Sequence, residues 1–359
     1  MTSGHVSNVL LVGAGAIGRL HAREMRACTF CTLSGVVDPT PEGHAWADSI
    51  GVAWFPTLAD ALASGRPDAA ILATPNPTHR PLALDLIESG IVTLVEKPIA
   101  STLDDAQAIV DASQATAVPV LVGHHRRHNP IIRTAHDLIG QGRLGRIVSV
   151  AVLAMFRKPD DYFAATWRRE AGGGPILINL IHEIDLVRHL YGEIVSVHAM
   201  SSNATRGFAV EDTASVLLRL DGGALVTIAL SDCTAAPWSW DLQSGEIDSY
   251  PSPAAPVTTS VIAGSIGSLA LPALDLWHYQ KRQDWYEPLT RETTGYRKES
   301  PYVAQLRNLC AVARGTERPV VDAREGLLTL RATLAVTDSA RSGTTITLSS
   351  SSNTPCEGS

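Results

Sequence analysis

Gly13-Ala14-Gly15-Ala16-Ile17-Gly18 sets three glycines at the spacing G-x-G-x-x-G, directly after the apolar run 9–12 and directly before the helix-forming stretch 16–27. Each glycine has its own physical reason. The first allows a tight turn, the second lets a pyrophosphate approach the backbone, and the third lets helix and strand pack closely. The helix that follows then offers unsatisfied N–H groups at its start, around Ala16 and Ile17, to a phosphate. Asp38 lies 20 residues beyond Gly18, at the end of the next predicted strand, 33–38. A carboxylate there accepts hydrogen bonds from adenosine ribose hydroxyls and repels a 2′-phosphate. Strand, glycine turn, helix and acid together predict a dinucleotide site that takes NAD in preference to NADP.

Two further segments follow predicted strands, and in open α/β sheets ligands bind at the carboxyl ends of the strands. Thr74-Pro75-Asn76-Pro77-Thr78-His79 follows the apolar run 69–73, and Glu96-Lys97-Pro98 follows the run 91–95. Thr74, Asn76, His79, Glu96, Lys97 and Pro98 are therefore expected on the cofactor side. A lysine held there and partly desolvated can donate or accept a proton beside a nicotinamide. Spacing alone reads Lys97 equally well as an ordinary surface lysine ahead of a turn proline.

A third group lies on a helix predicted over 176–190, where His182, Asp185 and His189 at i, i+3 and i+7 share one face. Asp185 can equally anchor the helix, and His189 can equally pack or face solvent. Asn179, three residues before His182, is able to hydrogen-bond a substrate, but an amide cannot serve as a base. Gly123-His124-His125-Arg126-Arg127-His128-Asn129-Pro130 brings three histidines together without a carboxylate or cysteine, so no metal is expected. Tyr162, Phe163, Trp167, Arg168, Trp238 and Trp240 fall in two predicted loops, where aromatics are as often core as ligand wall. If they line a site, the substrate has a flat or apolar face and Arg168 holds an anionic group.

The elements that must position these residues follow from periodicity. Apolar runs at 9–12, 33–38, 69–73, 91–95 and 118–122 alternate with helical stretches such as 81–89 and 103–115, which predicts a parallel sheet covered on both faces. After Gly123 the rhythm changes. Residues 213–220 and 224–231 flank Asp221-Gly222-Gly223 as an antiparallel hairpin. Further strands are expected near 147–154, 194–201 and 257–263, with helices at 176–190, 302–313 and 324–342. The expected fold class is α/β: an N-terminal Rossmann domain over 1–123 and a C-terminal α+β domain over 124–348 with a largely antiparallel open sheet. The serine-rich end, 349–359, has little to bury and is expected to be disordered.

Composition narrows the function further. With 359 residues, 45% of them hydrophobic and 18% charged, the chain can bury the cores of two domains. A net charge of −7, with Arg126-Arg127 as the one notable basic pair, argues against nucleic acid as a partner. No apolar run approaches the roughly 20 residues needed to span a bilayer, so no membrane partner is expected. Residues 1–8 are polar and lack the pattern of a signal peptide, which makes the cytoplasm the expected location. Five scattered cysteines, with Cys28 and Cys31 the only C-x-x-C, read as free thiols.

Gly13 to Gly18, Thr74-Pro75-Asn76, Glu96-Lys97-Pro98, and Gly172-Gly173-Gly174 followed by His182-Glu183-Ile184-Asp185 together resemble the Gfo/Idh/MocA oxidoreductases, over about residues 9–348. Glu96-Lys97-Pro98 is the most specific of these signatures. The resemblance implies that Lys97 is catalytic, that Pro98 helps to fix the nicotinamide pocket, and that His182 takes the place of an acid/base histidine. It also implies that the segment after Gly123 borders the nicotinamide and the substrate. His124 and Arg127 then become substrate contacts, alongside Lys97, Trp167, Arg168, Asn179 and His182. The family uses NAD(P)(H) to oxidise or reduce sugars, cyclitols and other small cyclic compounds, and forms dimers or tetramers through the open face of the C-terminal sheet. One position departs from the pattern: polyol-oxidising members commonly carry an aspartate four residues before the histidine, and here that position is Ile178. The expectation is an NAD(H)-dependent enzyme moving hydride at a C–OH/C=O centre of a small cyclic, sugar-like or polyol substrate. Reduction of an imine or ring double bond is a variant, and a non-catalytic NAD sensor is the rival reading.

Overall fold

The computed structural model describes residues 6–247, 250–251 and 255–348. The expected disordered tail at 349–359 lies outside the described residues. The chain divides into two compact units, Met1–Asn129 with Glu299–Leu330, and Pro130–Lys298 with Arg331–Ser359.

The first unit carries a six-stranded parallel sheet of β1 (Ser7–Val12), β2 (Cys31–Val37), β3 (Trp54–Phe55), β4 (Ala69–Leu72), β5 (Val92–Val95) and β6 (Val120–Val122) in the order β3-β2-β1-β4-β5-β6. The central strands are buried along nearly their whole length, as strands covered on both faces must be. The intervening helices are α1 (Ala16–Arg26), α2 (Pro41–Ser49), α3 (Leu58–Ser64), α4 (His79–Glu88) and α5 (Leu103–Thr116). Thr40, Thr57 and Thr102 start α2, α3 and α5 by accepting the N–H of the third residue onward, which satisfies a donor that no turn of helix can reach.

Strand order reverses at β1 and β4, so the turns leaving β1, β4 and β5 emerge side by side at one edge. This is the crevice where open α/β sheets bind ligands.

The expected boundary at residue 123 assigned everything beyond it to the second domain, but Glu299–Leu330 groups with the first unit. The cause is a late helix, α9 (Pro301–Ala313), whose Leu306, Leu309, Cys310 and Val312 join Val9, Leu11, Ile71, Leu94 and Leu121 in one core. The same return covers the open edge of β6, where the Val122 N–H donates to the Val321 carbonyl at 3.0 Å.

The second unit is built on nine strands: β7 (Ile147–Met155), β8 (Ile194–Ser202), β9 (Thr213–Leu220), β10 (Leu225–Ser231), β11 (Ser260–Gly264), β12 (Gly267–Leu271), β13 (Asp275–Tyr279), β14 (Leu289–Thr293) and β15 (Ile346–Thr347). Their order is β14-β13-β12-β11-β7-β10-β9-β8-β15, antiparallel throughout except for the parallel pair β7 and β10. The hairpin at Asp221-Gly222-Gly223 forms as expected, with Gly223 at φ +85°. The remaining helices are α6 (Pro130–Gly140), α7 (Ile181–Tyr191), α8 (Trp240–Gln243), α9 (Pro301–Ala313) and α10 (Ala323–Ser342). Side chains of α6, α7 and α10 close one face of the sheet into a core around Ile132, Ile184, Val197, Leu218, Ile262 and Val336. Among the described residues, no helix is long and apolar enough to cross a membrane.

Candidate active site

The three glycines after β1 have separable causes. Gly13 sits at φ +102°, and a Cβ there would lie 2.6 Å from the Ala73 carbonyl oxygen. At Gly18 a Cβ would meet the Gly13 carbonyl oxygen at 2.0 Å, so this glycine is what lets α1 close onto its own turn. Gly15 has nothing within 4 Å of its Cβ position. No packing within the protein demands a glycine there, which leaves room for a ligand against the backbone. The start of α1 carries no side-chain cap and no acidic residue in its first turn, and Ala16 and Ile17 are exposed. Its N–H groups and dipole therefore suit a pyrophosphate, and on these observations the loop fits a dinucleotide.

Asp38, at the end of β2, lies against the glycine turn. Its Oδ2 accepts the Ala14 N–H at 2.8 Å, and its Oδ1 accepts the N–H and hydroxyl of Thr40 at 2.9 and 2.5 Å. Partial burial pushes the carboxyl pKa up, but these hydrogen bonds and the nearby Arg19 guanidinium outweigh it and hold Asp38 below the usual carboxylate range. Asp38 is thus an ionised acceptor beside the glycine turn. Arg19 is itself fixed by donating to the Ala14 carbonyl at 2.9 Å and by lying 5.1 Å over the Trp46 ring.

The loops after β4 and β5 are tied together from behind. His79 is fully buried, with Nδ1 3.0 Å from the Pro98 carbonyl oxygen and Nε2 2.9 Å from that of Thr74. Burial lowers its pKa against the pull of both carbonyls and of Glu96. It acts as a strut between the Thr74 loop and the Lys97–Pro98 peptide, which is cis. Asn76 opens the 3-10 turn Asn76–Thr78, and the Thr78 hydroxyl donates to the Thr74 hydroxyl at 2.7 Å.

Lys97 is half-buried, and Glu96, its neighbour, is 8% exposed. Glu96 Oε1 lies 2.7 Å from His21 Nε2, and its Oε2 accepts the Lys97 backbone N–H at 3.2 Å. Burial alone would raise the Glu96 pKa, but the His21 hydrogen bond, with charge from His21, Lys97 and His125, lowers it below the ordinary value. Tyr302 meets the His21 ring edge-on at 5.8 Å and stacks on His125 at 4.4 Å. Sequence reasoning missed His21. The available signal was its place on the buried stripe Gly18, His21, Ala22 and Met25 of α1, where a polar ring needs a partner.

His124 to Asn129 is buried throughout. The Arg127 guanidinium donates to Glu325 Oε2 at 2.9 Å, a partner supplied by α10.

In the second unit the helix expected over 176–190 is in two parts. Ile176–Leu180 is a single π-helical turn, and α7 begins at Ile181. The wider turn changes the angular relation of Ile178 and Asn179 to His182, and such turns recur at functional sites. Asn179 is half-buried, and its Oδ1 has no hydrogen-bond partner among the described residues. The Ile176 N–H donates to Glu211 Oε1 at 2.9 Å, and Gly174 leaves the space that this carboxyl occupies. His182 is 8% exposed and Asp185 1% exposed, while His189 stacks on His136 at 4.8 Å.

Of the loop aromatics, Phe163 and Trp240 are core residues, whereas Trp167 and Trp238 are exposed. Arg168 packs its guanidinium 3.9 Å from the Tyr162 ring centre and donates to the Tyr162 carbonyl at 2.6 Å. A buried charge network, not anticipated from sequence, lies beneath them. Lys158 Nζ is 3.1 Å from Asp232 Oδ2, and Arg206 Nε is 3.3 Å from Asp232 Oδ1. Burial lowers the Lys158 pKa against the pull of Asp232.

Residues 7–124 match the model of the oxidoreductase family with an NAD-binding Rossmann fold, and residues 132–248 match the GFO/IDH/MocA C-terminal domain. The chain belongs to the GFO/IDH/MocA family. It is therefore an NAD-dependent oxidoreductase with the two-sheet architecture of that family. Among GFO/IDH/MocA relatives, the rhizopine catabolism protein MocA of Rhizobium meliloti is 28% identical over 61% of this chain and 69% of its own length. The D-apiose dehydrogenase of Paraburkholderia graminis is 26% identical over 95% of this chain and 89% of its own. The WlbA dehydrogenase from Bordetella pertussis, solved in complex with NADH and UDP-GlcNAcA, superposes with a TM-score of 0.79 at 27% identity, covering 96% of this chain and 99% of that one.

Proposed function

We propose that this family member transfers hydride between NAD(H) and a C–OH/C=O centre of a small cyclic, sugar-like or polyol substrate, with Lys97 managing the proton. The observation that carries the reading is the position of Glu96-Lys97-Pro98 at the end of β5, one strand removed from the glycine turn of β1 across β4. The Gly13, Gly15 and Gly18 turn with Ala16 and Ile17 takes the pyrophosphate and Asp38 takes the ribose. Thr74, Asn76, Glu96 and Pro98, with His79 behind them, shape the nicotinamide end. Bound NAD supplies the hydride acceptor or donor. Lys97, half-buried beside an ionised carboxylate, holds a proton at the substrate oxygen. His182 and Asn179 hydrogen-bond the substrate, with His124, Arg127, Trp167 and Arg168 as further contacts. Names of relatives such as D-apiose dehydrogenase and inositol 2-dehydrogenase support a polyhydroxylated ring or short sugar as substrate class.

The location that best suits this reading is the cytoplasm, and the working form a homodimer or homotetramer. Met200, Leu217, Leu225, Val261 and Trp277 stand exposed on one face of the nine-stranded sheet, and burying that face against a second copy removes apolar area from water.

The deciding experiment is a screen of sugars, polyols and cyclic hydroxy acids with NAD+, followed by absorbance of NADH, and repeated with Lys97→Met. Loss of a general acid or base lowers turnover by about 10²-fold or more while NADH binding stays near its original value. Near-normal turnover in Lys97→Met moves the proton chemistry to another residue.

A further inference from the structure

We propose that His21 is a positioning residue for proton transfer: through its Nε2–H it clamps the Glu96 carboxylate against the backbone of Lys97, and that carboxylate sets the charge state of the lysine. The inference rests on the reading of Lys97 as the proton carrier and concerns what stands behind it.

The geometry is specific. His21 is fully buried, and because an ionised carboxylate can only accept, its Nε2 carries the proton 2.7 Å from Glu96 Oε1, while Nδ1 has no hydrogen-bond partner among the described residues. The second carboxylate oxygen takes the Lys97 N–H at 3.2 Å, so one group links the helix of the glycine motif to the lysine-bearing turn. Space for it is kept by Gly123, whose Cβ would lie 2.8 Å from Glu96 Cδ. The groups facing Glu96 are His21 from α1, Lys97 from its own loop, His125 from the turn after β6 and His79 from α4, each a donor or a potential cation. Tyr302 of α9 covers the two histidines His21 and His125. A carboxylate kept ionised in such a place favours the ammonium form of a neighbouring lysine, and its neutralisation withdraws that support. Without the imidazole donor, Glu96 would be a buried carboxyl inclined to take up a proton.

The chain has four lysines, Lys97, Lys158, Lys281 and Lys298, which makes a direct measurement practical. The full-length protein is reductively methylated with 13C-formaldehyde, the dimethyl-lysine signals are assigned with Lys97→Arg, and the Lys97 signal is titrated with pH. In Glu96→Gln and His21→Leu the Lys97 midpoint is expected to fall by about one pH unit, the scale set by losing one adjacent opposite charge. His21→Gln, which restores an N–H donor, is expected to recover most of the difference. Unmoved Lys158, Lys281 and Lys298 signals report an intact fold. If His21→Leu does not fold, the near-isosteric Glu96→Gln decides. A Lys97 midpoint unchanged in folded Glu96→Gln overturns the proposal, even where Lys97→Met is inactive. Conversely, a shifted midpoint together with an active Lys97→Met upholds the coupling and removes Lys97 from the chemistry.

Discussion

The Asp38 carboxylate accepts the backbone N–H of Ala14 at 2.8 Å, so the acid at the end of the second strand and the glycine turn at the end of the first hold one another in place. With Asp38 in its proposed place at the ribose, this bond should govern cofactor choice, because the carboxylate cannot swing away from an extra phosphate. Arg19 stands close enough to stabilise the Asp38 charge and would be left facing a phosphate if the acid were removed. Asp38→Ser is expected to narrow the preference for NADH over NADPH by about tenfold or more, the effect of one like-charge contact near a surface. Fluorescence titration with each cofactor checks it. Tighter binding of NADPH than NADH by the unaltered protein would contradict the role given to Asp38.

Gly15 and Gly18 are expected to respond oppositely to alanine. A Cβ at Gly15 meets no protein atom, so Gly15→Ala keeps its melting temperature while NADH binding weakens, by roughly tenfold for about 1.4 kcal/mol of lost contact. At Gly18 the 2.0 Å approach to the Gly13 carbonyl forces the helix off its strand, and Gly18→Ala loses stability first. Thermal unfolding with and without NADH separates the two. Equal destabilisation by both substitutions would mean that Gly15 serves packing.

Glu96 ties the acid stability of the first unit to this site. Its folded pKa lies below its ordinary value of 4.5, so its stabilising contribution is present above that value and is lost as pH falls through the folded pKa. Gly123→Ala pushes the carboxyl off His21 and takes away the cause of its lowered pKa, so the melting temperature should drop at neutral pH and its further fall below about pH 4.5 should shrink. A melting profile superimposable on that of the unaltered protein would show that the carboxyl relaxes without cost.

Asp232→Ala would leave Lys158 and Arg206 buried without their shared carboxylate. Breaking such a pair costs about 3–5 kcal/mol, because a charge stays in the interior uncompensated. The second unit should unfold at lower urea, and Asp232→Asn should fall between the two. A shift no larger than that of a surface substitution would indicate that water reaches the network.

Much of the geometry of the candidate site was legible because its determinants are local. Gly13, Gly15 and Gly18 each answer a constraint within a few residues, and Asp38 and Lys97 stand at strand ends that apolar runs mark plainly. Long-range partners left no such trace. The amphipathic pattern of α9 announces that it packs, without saying against what, and so residues 299–330 were assigned to the second domain. The π-helical turn at Ile176–Leu180 went unread because helical periods cannot be told apart over five residues. Strands β12, β13 and β14 escaped because they are five residues each with turn-forming or charged residues between and within them, too short for alternation to stand out. His21 escaped because its partner, Glu96, is 75 residues away.

The late return of α9 into the first core also orders events during synthesis. When residue 129 has been made, every strand of the nucleotide-binding sheet exists, yet Leu306, Leu309, Cys310 and Val312 are still to be translated. At about 5–20 residues per second, the nascent sheet waits on the order of ten seconds or more with part of its apolar surface uncovered. The cofactor unit that opens with β1 is therefore complete only once α9 has been made, and a ribosome stalled within the second sheet would present chaperones with an unfinished Rossmann fold.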